Sequence, residues 1–110
     1  MSRPRRMLFL CSRRRLRSPA AAAVFADHPG WETDSAGLAD DAETPLSGGQ
    51  VAWAELVVVM EPVHRRRLRA RFGALLKGRQ LICLDIPDRY DYMQPELVQL
   101  LRRRLAPQLR

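Results

Sequence analysis

Cys11 and Arg17 stand six positions apart, and Ser18 and Pro19 follow the arginine directly. A thiol, a guanidinium and a hydroxyl so close together are the types needed to attack and hold a phosphoryl group. The thiolate is the nucleophilic form of cysteine. A planar arginine fork matches two phosphoryl oxygens, which the point charge of lysine does not. Ser18 brings a hydroxyl that can donate to the thiolate. Arg-Ser-Pro at one fixed offset from a cysteine arises about once in 1,800 random trials at this composition, and two cysteines double the opportunities.

Such chemistry requires elements that aim these groups at one point. Met7-Leu8-Phe9-Leu10-Cys11 is a continuous apolar run, which reads as a strand buried on both faces. Ser18 and Pro19 then have the character of an N-cap and a proline at the first helical position, and Ala20 to Ala26 continue the helix. A loop from strand end to helix start can turn successive N–H groups inward as an anion-binding nest. The helix start adds partial positive charge. On this reading Ser12, Arg13, Arg14, Arg15, Leu16, Arg17 and Ser18 bind phosphate, and the same field favours the thiolate of Cys11 over the thiol. The rival reading is a buried strand cysteine beside a solvated arginine cluster. Spacing and context together favour the phosphate loop.

The remaining pattern supplies the frame. Trp31 to Ser35 reads as a second strand, Leu38 to Gly49 as a loop, and Gln50 to Glu55 as a short helical stretch. Leu56-Val57-Val58-Val59-Met60 is the clearest central strand. Glu61-Pro62 opens a helix with Leu68, Phe72, Leu75 and Leu76 inward and Arg65, Arg66, Arg67, Arg69 and Arg71 outward; Gly78 closes it. Leu81 to Leu84 is the fourth strand, and Asp85 to Gln94 a polar loop. Pro95 starts a last helix whose stripe is Leu97, Val98, Leu101 and Leu105. Alternating strands and helices predict an α/β fold: a single three-layer domain over residues 1–110, with a four-stranded parallel sheet and helices on both faces. Ligands then bind beyond the carboxyl ends of the strands, where Cys11 to Ser18 and Asp85 to Tyr92 lie.

Composition narrows the class. The 110 residues suit one domain, and the net charge of +7 points to anionic partners. Lys77 is the sole lysine, so 18 of the 19 basic residues are arginine. Two cysteines, Cys11 and Cys83, are too few for a disulfide scaffold, which predicts a reduced cytoplasmic protein. Cys83 reads as a small core residue within its strand. The apolar runs fall far short of a membrane span. His28 and His64 are isolated, have no metal-ligand spacing, and read as surface or capping residues. No cofactor or metal is expected.

The segment Cys11-Ser12-Arg13-Arg14-Arg15-Leu16-Arg17-Ser18-Pro19 resembles the signature of the low-molecular-weight protein tyrosine phosphatase family. Asp34-Ser35-Ala36-Gly37 is similar to that family's Ser-Ala-Gly segment, and Met60-Glu61-Pro62-Val63-His64 to its Met-Asp-x-x-Asn. The resemblance implies a phosphomonoester hydrolase with a cysteinyl-phosphate intermediate, acting on a phosphotyrosine-containing protein or a small aryl phosphate. It implies Cys11 as nucleophile, Arg17 as oxyanion clamp, and a general-acid aspartate in a loop after the fourth strand. Asp88 occupies that acid position, with Arg89 where the family has proline; Asp85, nearer the strand end, is the rival. Tyr90 and Tyr92 match loop tyrosines that flank the mouth and stack on an aryl phosphate.

The chain departs from the family at four points. Arg14 replaces the loop asparagine, and Leu16 replaces the frequent second cysteine. No Trp or Tyr closely follows Gly37, and the chain is short between the third and fourth strands. Two other functions compete. An arsenate reductase-like enzyme would use the same loop with a resolving cysteine. A catalytically weak phosphate- or polyanion-binding module would use Arg13 to Arg17, Arg65 to Arg71 and Arg102 to Arg104; nucleic acid is disfavoured because interleaved aromatic platforms are missing.

Overall fold

The computed structural model describes residues 3–11, 17–38, 45–87 and 89–109. Four strands form one parallel sheet: β1 (Arg5–Cys11), β2 (Trp31–Gly37), β3 (Leu56–Val59) and β4 (Gln80–Cys83). Their spatial order is β2-β1-β3-β4. Helices α1 (Arg17–Phe25), α2 (Gly48–Trp53), α3 (Pro62–Phe72) and α4 (Pro95–Leu105) lie between and after them. The expected α/β, three-layer architecture is the one found.

Side-chain alternation along β1 explains the two faces. Met7, Phe9 and Cys11 point to one side and pack with Ala20, Ala21 and Phe25 of α1 and Leu97, Leu101 and Leu105 of α4. Leu8 and Leu10 point to the other, against Val51 of α2 and Leu68 of α3. β1 is covered on both sides, so its apolar run has no polar alternation. β1 leads to β2 on one side and neighbours β3 on the other, so the chain changes direction between β1 and β3. Beyond their carboxyl ends is the crevice where open α/β sheets bind ligands.

Several expected boundaries shift for identifiable reasons. Ser18 is not the N-cap of α1; the helix already includes Arg17, and the Ser18 side chain bonds elsewhere. α2 begins at Gly48 because Ser47 and Gln50 form a reciprocal capping box: the Gln50 N–H donates to Ser47 Oγ, and the Ser47 N–H to Gln50 Oε1, both at 3.2 Å. Leu75 is not part of the inward stripe and is 38% exposed. After Phe72 the backbone tightens into a 3₁₀ turn over Gly73–Leu76, and its three-residue period rotates Leu75 off the face that Leu68 buries. Gly78 ends this segment at φ +78°, a conformation that favours glycine. Cys83 is the last residue of β4 rather than an internal one, and is half-buried.

Candidate active site

β1 delivers Cys11 to the carboxyl edge of the sheet, where its carbonyl accepts the Leu38 N–H at 2.9 Å. The cysteine is 3% exposed. Its Sγ lies 3.1 Å from Ser18 Oγ, in the first turn of α1. The hydroxyl is fully buried, so its hydrogen bond to sulfur is made out of water.

Arg17, one residue earlier, is 4% exposed. A guanidinium this deep needs partners, because an unpaired buried charge costs several kcal/mol. Its Nη1 donates to the Ile86 carbonyl at 2.8 Å and to Glu61 Oε1. Glu61 caps α3 after β3, and its side chain remains one-third exposed. Three elements therefore set the plane of the guanidinium: the start of α1, the start of α3, and the segment after β4.

That last segment is itself tied down. The Ile86 N–H donates to the Met60 carbonyl at 2.8 Å, and Ile86 is fully buried. Asp85 turns the chain at φ 55°, a left-handed conformation that aspartate tolerates better than most residues. From the last turn of α4, Arg104 Nη1 donates to the Leu84 and Asp85 carbonyls, both at 2.6 Å.

Among the sequence-selected residues, Cys11 and Ser18 are brought together, and the buried Arg17 adjoins Ser18 in α1. Asp85 is close along the chain, but its side chain is exposed. Tyr90 is half-buried against the core, with the Arg89 guanidinium 5.5 Å from its ring centroid. Tyr92 is 52% exposed. Ser12, Arg13, Arg14, Arg15, Leu16 and Asp88 lie outside the described residues. His64 is not a surface residue: it is 1% exposed, and its Nδ1 accepts the Glu61 N–H at 3.1 Å, so the capping half of the expectation stands. His28 is half-buried, its ring 5.9 Å from that of Phe25.

Sequence reasoning missed Glu61 and the Ile86 carbonyl as the partners of Arg17. The acidic residue directly after the central strand was a usable signal for the first. The second is a backbone atom and has no signal in residue type. Among the described residues, no group of three His, Cys, Asp or Glu could hold a metal ion. A recess of about 480 Å³ near Arg6, Glu55 and Arg79 lies at the amino-terminal end of the sheet, away from these groups.

Solved structures supply an independent comparison. YwlE arginine phosphatase from Geobacillus stearothermophilus is similar with a TM-score of 0.73 and 25% identity, over 96% of this chain and 93% of that one. Vibrio vulnificus Wzb in complex with benzylphosphonate has a TM-score of 0.77 at 18% identity, over 94% and 96%. The low molecular weight protein tyrosine phosphatase SP-PTP from Streptococcus pyogenes has 0.76 at 14%, over 96% and 91%. In fold, this chain is similar to the low-molecular-weight protein tyrosine phosphatases. No family model and no curated protein matches it at the level of sequence.

Within this phosphatase fold the two cysteines are far apart. Cys11 is on β1 and Cys83 on β4, with β3 between them. Two strand spacings separate them by about 9–10 Å. Their side chains also pack against opposite faces of the sheet. A disulfide spans Cα atoms less than about 7 Å apart, so Cys83 is not placed to resolve a bond on Cys11. The arsenate-reductase alternative loses its resolving thiol among the described residues.

Proposed function

We propose that the protein is a cysteine-dependent phosphomonoester hydrolase of the tyrosine phosphatase type. The observation that carries this reading lies at the start of α1: Cys11 Sγ is within hydrogen-bond distance of the buried Ser18 Oγ, and the adjoining residue Arg17 is buried with its guanidinium held from two further elements. Similarity to phosphatase structures supports it.

In the proposed reaction, the Cys11 thiolate attacks phosphorus in line with the ester oxygen. A sulfur–phosphorus bond forms as the phosphorus–oxygen bond breaks. Asp88 gives its proton to the leaving oxygen, then takes one from the water that hydrolyses the cysteinyl-phosphate, releasing phosphate and the thiolate. Arg17 and the loop 12–18 balance the charge on the equatorial oxygens. Ser18 donates to the sulfur whenever it is anionic. No step requires a metal or cofactor. Asp88 is preferred to Asp85 because it stands at the acid position of the resembled family, whereas the Asp85 side chain is exposed.

The substrate class we favour is a phosphotyrosine-containing protein or a small aryl phosphate. Tyr90 and Tyr92 sit on the segment that follows Ile86, and in this reading they supply the aromatic surface that stacks on the substrate. Nucleic acid and membranes are not part of this reading. Among the described residues, no helix is long and apolar enough to cross a membrane.

Hydrolysis of p-nitrophenyl phosphate by the wild type and by Cys11→Ser tests the proposal. The variant should lose at least a thousandfold in kcat/KM. Equal rates in both proteins would end the enzymatic reading. A phosphotyrosine peptide set against a phosphoarginine peptide tests the substrate class, and preference for the latter would overturn the aryl assignment.

A further inference from the structure

The cap of α3 contains a buried titratable side chain that the proposed reaction does not use. His64 is 1% exposed, and its Nδ1 accepts the Glu61 backbone N–H at 3.1 Å. This bond needs an unprotonated Nδ1. A neutral imidazole has one accepting nitrogen and an imidazolium has none. The same Glu61 uses its carboxylate to hold Arg17 Nη1. Ring nitrogen, peptide N–H, carboxylate and guanidinium thus form one run from α3 across to α1.

We propose that neutral His64 is a positioning residue for Arg17 and that protonating it loosens the anion clamp. The inference rests on the reading of Arg17 as that clamp. Protonation of Nδ1 would set two N–H donors against each other where a hydrogen bond had been. A ring this buried has little room or water to turn into, so the Glu61 peptide is displaced. The imidazolium also attracts the Glu61 carboxylate and competes with Arg17 for it. Among the described residues, the ionisable groups bonded into this run are Glu61 on the cap and Arg17 on α1, and Ser18, next to Arg17, bonds Cys11 at the end of β1. Histidine is the side chain whose ordinary ionisation falls between pH 5 and 8, so the effect lies within a usable assay range.

The full chain can be followed by amide and histidine ring NMR from pH 8 to pH 5, with inorganic phosphate as the anion probe and p-nitrophenyl phosphate as the substrate. His28 is the only other histidine, so His64→Asn assigns the ring signals by subtraction. The Glu61 amide should move with the midpoint of the His64 ring. Phosphate affinity and kcat/KM should fall at least tenfold across that same step. His64→Asn keeps an accepting oxygen that does not titrate. It should retain wild-type kcat/KM within threefold at pH 7.5 and lack the step, while His64→Leu should lose at least tenfold at every pH. An unmoved Glu61 amide, the same step in His64→Asn, or a His64 that stays neutral until the protein unfolds would each overturn the proposal. If His64→Leu does not fold, the wild-type and Asn titrations still decide. If the wild type hydrolyses nothing, the phosphatase reading falls by itself, and the phosphate and amide titrations still judge the positioning role.

Discussion

Arg17→Lys separates holding the fold from gripping the substrate. In the wild type, Nη1 donates to both the Ile86 carbonyl and the Glu61 carboxylate. Lysine keeps the charge, and its ammonium has three donors with which to reach the same two acceptors. Stability should therefore fall by no more than about 1 kcal/mol. Catalysis should suffer more, because the planar fork that matches two phosphoryl oxygens is gone. One charge-assisted hydrogen bond is worth roughly 1.5–3 kcal/mol. If it acts in the transition state, kcat/KM falls roughly 10- to 160-fold at 1.36 kcal/mol per decade. Arg17→Met is the contrasting perturbation. It leaves the Ile86 carbonyl, on a fully buried residue, without its arginine donor, at a cost of roughly 1–3 kcal/mol. Glu61 is one-third exposed and can turn toward water, so losing its partner adds only about 1 kcal/mol. The total of about 2–4 kcal/mol should appear in urea melts, together with loss of hydrolysis. The reasoning is refuted if Arg17→Lys retains full kcat/KM, or if it destabilises the chain as much as Arg17→Met.

Other expectations rest on separate contacts. Asp88→Asn should slow aryl phosphates with poor leaving groups far more than p-nitrophenyl phosphate, and Asp85→Asn should change both by less than threefold; the reverse result would exchange their roles. Mild oxidation that abolishes hydrolysis should leave no Cys11–Cys83 disulfide by mass spectrometry, because the two thiols pack on opposite sheet faces. Leu101→Ala, at a fully buried α4 position, should cost about 2–5 kcal/mol in denaturant melts while leaving KM within twofold. Gln94, followed by the Glu96 backbone N–H, holds the Glu96 carboxyl below its usual range against a minor opposing desolvation. A lowered folded-state value stabilises above the unfolded-state value and is lost as pH falls through the folded one. Any stability difference between wild type and Glu96→Gln should thus be present at neutral pH and vanish in acid, and a difference that grows in acid would refute the assignment.

The alternation of apolar runs with amphipathic stretches was enough to specify the parallel sheet and its two layers of helices. A strand buried on both faces needs an unbroken apolar run, and Met7 to Cys11 and Leu56 to Met60 admit few other readings. The proximity of Cys11 and Ser18 was equally legible, because a short connection between consecutive elements keeps its two ends near one another whatever the rest of the chain does. Local competition was harder to read. Gly48 and Gly49 obscured the capping box of Ser47 and Gln50, and the tightening after Phe72 turned Leu75 outward. Only the tertiary structure decided what holds Arg17, since Glu61 and Ile86 are 44 and 69 positions away along the chain. It also decided that His64 is buried behind that clamp rather than at the surface. Residue type and spacing specify which groups can react, but a backbone carbonyl has no sequence signature, and burial is a property of everything packed around a side chain.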